Sequence, residues 1–180
     1  FCPLGGSGEI GMNMNLFAYG KADNQKWIIV DMGVTFADDS IPGIDLIMPD
    51  PGFIIDKKDD LLGVVLTHAH EDHIGAVAHI WPELKCKLYA TPFTAALITE
   101  KFKEKKIDIS SYLKIVPLNS KIKLGEFEID FVSLTHSILE PNGLSIKTPL
   151  GTILHTGDWK IDPNPSVSYT HLRAHETLPY

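Results

Sequence analysis

The chain has 180 residues, of which 44% are apolar and 22% charged, the composition of an ordinary globular protein with one domain-sized core. It contains no run of eighteen apolar residues, so no membrane-spanning helix is expected, and it shows no secretory signal pattern at its start. The net charge of −7 argues against a nucleic-acid site built on a large basic face, although a bound pair of dications would create a local positive centre. The isolated Cys2 and Cys86 favour a reducing compartment, and we expect a cytoplasmic protein.

In the first half of the chain, short apolar runs predict two buried strands. They are WIIVD at residues 27–31 and LLGVVLT at residues 61–67, the second rich in β-branched side chains. From Asp72 onward the apolar residues follow a helical spacing, and Pro82 is predicted to end that helix.

In the second half, a short strand at residues 87–90 precedes a helix that is predicted to begin at Pro92. Five further strands are then predicted, at residues 112–118, 121–124, 127–134, 143–147 and 152–155. Strands interspersed with helices predict an α/β protein in which sheets are covered by helices.

The last segment, residues 166–180, departs from this pattern in composition and in apolar spacing. It resembles translated read-through of a sequencing adaptor, so we predict a domain over residues 1–165 and a tail that does not belong to it. His171 and His175 in this tail have a spacing that could bind zinc on a helix, which we interpret as accidental.

The strongest functional signal is the segment His68-Ala69-His70-Glu71-Asp72-His73, directly after the predicted strand at 61–67. Residues two apart in an extended segment point to the same side, so His68 and His70 are predicted to face one metal. Asp72 and His73 follow as the chain turns into the helix and can face a second one. Glu71 should point away. Imidazole and carboxylate groups suit zinc, or manganese where oxygens dominate. The competing interpretation is a polar strand end that is rich in histidine by chance.

Two later residues can complete the ligand set. His136 ends a predicted strand, and Asp158 follows another and has two oxygens that can bridge two cations. Each signal alone is weak, because a lone His or Asp at a strand end is more often a cap or turn residue. His155 is equally compatible with a supporting role and with a structural one. His79 lies within the predicted helix and is interpreted as a residue without a ligand role.

A site that holds two cations in this way indicates that the protein catalyses hydrolysis. Two cations about 3.5–4 Å apart lower the pKa of a shared water towards neutral and polarise a phosphoryl or carbonyl oxygen. The resulting hydroxide is a nucleophile. The residues predicted at the reacting centre are Asp72, His73 and Asp158.

A second motif, Gly6-x-Gly8-x-x-Gly11, matches the dinucleotide-binding fingerprint, and Asp31 lies at the expected distance beyond it. The fingerprint requires a helix that begins within the glycines, and residues 12–26 show no helical period. We therefore predict a tight loop near the metal centre rather than a nicotinamide site. Asp31 is predicted to be a buried residue that supports the ligand loop.

The segments PLGGSGEIGMN, IPGIDLIMPD, LTHAHEDHIGA, LTHS and LHTGDWKID together resemble the bacterial ribonuclease J family, in the β-CASP branch of the metallo-β-lactamase superfamily. The resemblance covers residues 1–165. It implies a metallo-β-lactamase αββα sandwich, here incomplete, and two Zn²⁺ (Mn²⁺ being possible). The implied ligands are His68, His70 and His136 for one cation, Asp72 and His73 for the other, and Asp158 as the bridge. Asp31 matches the aspartate of the family's first motif.

The resemblance also implies RNA as the partner, 5′-to-3′ exonuclease action that prefers a 5′-monophosphate, endonuclease action, and roles in rRNA processing and mRNA decay. The full-length protein would be a homo-oligomer without a membrane segment. This chain departs at Leu139, where a proline is expected, and at Trp159, where many members have phenylalanine. A last metal-binding histidine, the 5′-phosphate pocket and the C-terminal domain would lie beyond residue 165. The chain by itself is therefore expected to be inactive, or nearly so, and poorly soluble.

Two alternatives stay open. One is another hydrolase of the same superfamily, such as a glyoxalase II-like thioesterase or a lactonase, which would lack the GGSGEIG and GIDLIMPD segments. The other is a metal-free scaffold subunit of an RNA-processing complex, which degraded ligand positions would mark.

Overall fold

The computed structural model describes residues 1–37, 39 and 41–162. The strands are β1 (Cys2–Gly5), β2 (Met14–Lys21), β3 (Asn24–Val30), β4 (Thr35–Phe36), β5 (Leu46–Ile47), β6 (Leu61–Val65), β7 (Leu88–Ala90), β8 (Leu113–Ile115), β9 (Lys121–Leu124), β10 (Phe127–Ser133), β11 (Asn142–Thr148) and β12 (Gly151–His155). The α-helices are α1 (Gly52–Ile55), α2 (Glu71–Ile74), α3 (Val77–Leu84) and α4 (Pro92–Glu104), with a 3-10 turn at Lys58–Asp60. The predicted tail at 166–180 lies outside the described residues.

Six strands form the first sheet, in the order β1-β2-β3-β6-β7-β8. The first three pair antiparallel, and β3, β6, β7 and β8 run parallel. The sequence predicted no strand before residue 27, so β1 and β2 are a correction. The first half of β2 is buried on both faces and lacks the polar alternation that would have marked a half-exposed strand.

Helices cover one face of this sheet. Side chains from alternate strand positions, such as Leu16, Ile29 and Val64, pack with residues of α3 and α4 in one hydrophobic cluster. As predicted, α4 begins at Pro92. No helix in the described part of the chain is long and apolar enough to cross a membrane.

The single helix predicted from Asp72 is instead two short helices, α2 and α3, and Pro82 lies inside α3 rather than ending it. A proline removes one backbone donor, and α3 continues for only two residues beyond it. It ends at Leu84, and the following residue, Lys85, adopts a left-handed conformation and donates its N–H to the Trp81 carbonyl.

Four antiparallel strands form the second sheet, in the order β12-β11-β10-β9. Its inner face, with Phe127, Ile129 and Ile146, packs against the other face of the first sheet in a second hydrophobic cluster. Its outer face carries ion pairs such as Lys121–Asp130 and contributes to neither cluster. The described residues thus form three layers, a helix layer and two sheets, in agreement with the predicted metallo-β-lactamase type of α/β sandwich in incomplete form.

Candidate metal centre

Three histidines predicted for one cation converge at the ends of β6 and β10. The Nε2 atom of His68 and the Nε2 atom of His136 each lie 3.1 Å from Nδ1 of His70. His68 and His70 follow the carboxyl end of β6, and His136 follows β10 from the other sheet. Three ring nitrogens from two sheets therefore face one point.

Two carboxylates and a fourth histidine lie beside this group. Nε2 of His73 is 3.5 Å from Oδ2 of Asp72 and 3.5 Å from Oδ1 of Asp158. The other Asp158 oxygen, Oδ2, is 3.8 Å from Nε2 of His136. The two oxygens of Asp158 thus face the two halves of the cluster, the arrangement expected of a bridging carboxylate.

The donor atoms fit a divalent cation in number, chemistry and spacing. The ligand atoms of His68, His70 and His136 lie within 4.8 Å of one another, as do those of His68, His73 and Asp158. Two imidazole nitrogens on one tetrahedral zinc would be about 3.3 Å apart, given Zn–N bonds of about 2.0–2.1 Å. The 3.1 Å separations are close to that value.

Asp31 is fully buried beneath the cluster. Its Oδ1 accepts the backbone N–H of Thr67, and its Oδ2 accepts the Thr67 hydroxyl, both at 2.8 Å. The same Oδ2 lies 2.7 Å from Nδ1 of His73. A carboxylate on one ring nitrogen fixes the tautomer so that the other nitrogen can bind a metal, which is the geometry expected for the predicted supporting role.

The electrostatics of the cluster centre on His73. Burial disfavours its charged form, but the charge and hydrogen bond of Asp31, the hydrogen bond to Asp158 and the charge of Asp72 together raise the pKa of His73 to about 10. The hydrogen bond from His73 lowers the pKa of Asp158 to about 2, while burial and then the neighbouring His73 lower the pKa of His68 to about 3. A ligand imidazole has to be deprotonated, so His73 would release its proton on binding a metal ion.

Asp72 belongs to neither of the two convergent groups, and neither do the other ligand-type residues weighed in the sequence. The Glu71 carboxylate pairs with Nζ of Lys101 at 2.6 Å. His79 is exposed on α3, and the His155 ring makes an edge contact with Phe17. The glycine run leads into strand β2 rather than a helix, so the context that the dinucleotide fingerprint requires is absent there.

Sequence reasoning missed two asparagines that contact the ligand loops. The side-chain Nδ2 of Asn13 donates to the Asp72 carbonyl, and that of Asn142 donates to the Thr67 carbonyl, each at 3.1 Å. The partners are 59 and 75 residues apart in the sequence, so no local pattern marks these contacts.

Comparison with known proteins agrees with this geometry. Residues 15–169 match the model of the Metallo-beta-lactamase superfamily, and the chain belongs to that superfamily. The metallo-beta-lactamase fold protein YhfI from Bacillus subtilis shares the fold, with a TM-score of 0.56, 17% identity, and coverage of 88% of this chain and 58% of that one.

Within the superfamily, the chain is similar to proteins named Ribonuclease J, which confirms the resemblance seen in its motifs. The protein from Sinorhizobium meliloti is 46% identical over 167 residues, covering 93% of this chain and 30% of the relative. The protein from Helicobacter pylori (strain 26695) is 43% identical over 164 residues, covering 91% of this chain and 23% of the relative. The chain therefore spans less than a third of the length of these relatives.

Proposed function

We propose that this chain is the metal-binding part of a ribonuclease that hydrolyses RNA phosphodiesters with two Zn²⁺, or two Mn²⁺. The observation that carries the proposal is the convergence of six ligand-type side chains from three separate strand ends. The RNA substrate rests on the similarity to relatives named Ribonuclease J.

In this proposal His68, His70 and His136 would hold one cation, Asp72 and His73 would hold the other, and Asp158 would contribute to both positions. When bound, the two cations lower the pKa of a shared water and polarise the scissile phosphoryl group. The chain itself binds and orients the cations, with Asp31 holding His73 so that Nε2 faces the cluster.

The exposure of the ligands indicates the side from which a substrate would approach. The side chain of His73 is 2% exposed, whereas those of Asp72 and Asp158 are 30% and 42% exposed. His68 and His73 thus form a buried floor, His70 and His136 are partly exposed, and the two carboxylates form an open rim. We propose that the phosphodiester enters at this rim, with Asp72, His73 and Asp158 nearest the reacting atoms.

For a whole protein as long as these relatives, we further propose the activities and cellular roles that the ribonuclease J resemblance implies. These are 5′-to-3′ exonuclease action on 5′-monophosphorylated RNA, endonuclease action, homo-oligomerisation, and cytoplasmic work in rRNA processing and mRNA decay. We propose that this chain alone binds metal but hydrolyses RNA poorly, because a further ligand and the 5′-phosphate pocket would come from sequence outside it.

A chimera tests the activity. This chain would replace the matching segment of the Sinorhizobium meliloti relative, and the purified chimera would be incubated with Mn²⁺ or Zn²⁺ and 5′-monophosphorylated RNA. We expect mononucleotide release, which the same chimera carrying His70→Ala or Asp158→Ala should lose. Cleavage of a thioester or lactone with RNA untouched would overturn the proposal in favour of another hydrolase. Retained RNA binding without metal or cleavage would favour a scaffold.

Metal content tests the ligand assignment on the chain itself. Elemental analysis after loading and desalting should show that His70→Ala and Asp158→Ala have lost metal. Glu71→Gln is the matched control, because Glu71 lies in the same loop but pairs with Lys101. Ligand variants with unchanged metal stoichiometry would reject the assignment.

A further inference from the structure

We infer that Asn13 and Asn142 are positioning residues, each of which holds one half of the ligand set. Asn13 holds the pair Asp72–His73, and Asn142 holds the loops that carry His68 and His136. The inference rests on the proposed two-metal function and concerns residues outside the proposed ligand set.

Asn13 holds the backbone of Asp72 with two donors. Its backbone N–H and its side-chain Nδ2 donate to the same Asp72 carbonyl oxygen, at 2.9 and 3.1 Å. The side-chain nitrogen also lies 3.3 Å from Nε2 of His73. Because Asp72 and His73 are consecutive, restraining the peptide between them restrains the direction of both side chains.

The glycine run explains how the Asn13 amide reaches this position. Gly6 has φ +80°, and a Cβ atom there would lie 2.2 Å from Oδ1 of Asn13. Only glycine at position 6 leaves room for that oxygen without strain. Because Oδ1 lies against Gly6, the Nδ2 atom of the same amide faces the Asp72 carbonyl. From the other side, Gly33 packs so closely that its Cβ would lie 1.6 Å from the Asp72 oxygen. The glycine motif therefore makes space for an amide.

Asn142 joins the other two ligand loops. It is 1% exposed, and its Nδ2 donates to the carbonyls of Thr67 at 3.1 Å and Glu140 at 2.7 Å. Thr67 directly precedes His68, and Glu140 lies in the loop after His136. The Glu140 carboxylate in turn accepts the N–H of Phe93 in the first turn of α4, at 2.8 Å.

The two contacts come from different parts of the chain. Asn13 lies in the loop between β1 and β2 of the six-stranded sheet, whereas Asn142 begins β11 of the four-stranded sheet. Their side-chain acceptors differ: Asn13 donates to the Asp72 carbonyl, whereas Asn142 donates to the carbonyls of Thr67 and Glu140. Removing one amide should therefore weaken one cation position more than the other.

The test is a titration of the 180-residue chain with Zn²⁺ by calorimetry and with Co²⁺ by absorption spectroscopy. We expect two binding steps in the unsubstituted chain. Asn13→Ala should weaken one step by about 10- to 100-fold, the typical cost of removing an outer partner of a metal ligand, and Asn142→Ala should weaken the other step. The Co²⁺ spectrum distinguishes the position with three histidines, whose binding should weaken in Asn142→Ala, from the position of Asp72 and His73.

Each variant is the control for the other, because a general loss of stability would weaken both steps together. Asn13→Ser and Asn142→Ser, which keep a short polar group, serve if an alanine variant fails to fold, and they should show the same selectivity. Equal weakening of both steps in both variants, or no change in either, would overturn the inference. An unsubstituted chain that binds no cation would overturn the proposed metal function and this inference with it, whereas two normal steps in all variants would overturn the inference alone.

Discussion

The two sheets contribute differently to the candidate metal centre. The six-stranded sheet is covered by helices on one face and by the second sheet on the other, and the loop after its strand β6 carries His68, His70, Asp72 and His73. The four-stranded sheet is covered on its inner face only, and its strand ends supply His136 and Asp158. Its strand β12 exposes Ile153 and Leu154 at the edge of the sheet formed by the described residues.

This difference teaches that the floor of the centre, His68 and His73, is held more firmly than the ligands that the four-stranded sheet supplies. Burial on both faces restrains the loop after β6, and Asp31 adds hydrogen bonds beneath it. Asp158 follows an edge strand with exposed apolar side chains, so its position depends on the less protected sheet. A bound cation would link the two, because its ligands come from both.

The largest expected effect tests the floor. Asp31→Ala removes a fully buried carboxylate and leaves the N–H and hydroxyl of Thr67 and Nδ1 of His73 without their acceptor. We expect a loss of about 3–5 kcal/mol in the free energy of unfolding, the usual cost of breaking a buried charged pair, measured by urea denaturation. Asp31→Asn, which keeps the shape and one acceptor, should lose less. A loss below about 1 kcal/mol in Asp31→Ala would show that the floor does not depend on this residue.

A pair of cavity variants tests whether the two sheets unfold together. Phe102→Ala opens the helix-covered cluster and Phe127→Ala opens the cluster between the sheets, each removing a buried ring. Each should cost about 3–5 kcal/mol. With amide hydrogen exchange as the measurement, we expect Phe127→Ala to raise exchange most strongly in β9 to β12. Identical acceleration across both sheets in both variants would contradict the comparison.

Metal binding should reduce the difference in amide hydrogen exchange between the two sheets. Zn²⁺ at a free concentration of 100 times its dissociation constant should add about 2.7 kcal/mol to the free energy of unfolding, if it binds only the folded chain. The measurement is thermal unfolding with and without Zn²⁺, together with exchange protection of β12. His136→Ala removes a histidine ligand that the second sheet supplies. It should abolish the additional protection of β12 that Zn²⁺ produces. Protection that survives this substitution would argue against a cation joining the two sheets.

The smallest expected loss of stability concerns the exposed ion pair of Glu71, in the loop after β6. Lys101 pairs with Glu71 at 2.6 Å, but Glu71 is about half exposed, so solvent screens the pair. Lys101→Ala should cost about 0.2–1 kcal/mol and leave metal stoichiometry unchanged. A larger loss, or a loss of metal, would show that this surface contact also holds the ligands.

Several features of the molecule were set by local sequence. The histidine-rich segment predicted four convergent ligand candidates, because side chains within six residues share one strand end. Apolar runs predicted β3, β6 and β10 with small errors at their ends, and Pro92 predicted the start of α4, because a proline at a first helical position needs no backbone partner. The motifs were also sufficient for the resemblance to ribonuclease J.

Only the tertiary structure decided the rest. It brought His136 and Asp158 to the cluster while leaving His79 and His155 outside both convergent groups, although all four are single residues with weak local signals. It also gave the glycine run a role in packing against Asn13, and it tied Asn142 to a loop 75 residues earlier. The physical reason is that such contacts depend on strand order and on the packing of one sheet against another, whereas a sequence pattern reports only on neighbours within a few residues.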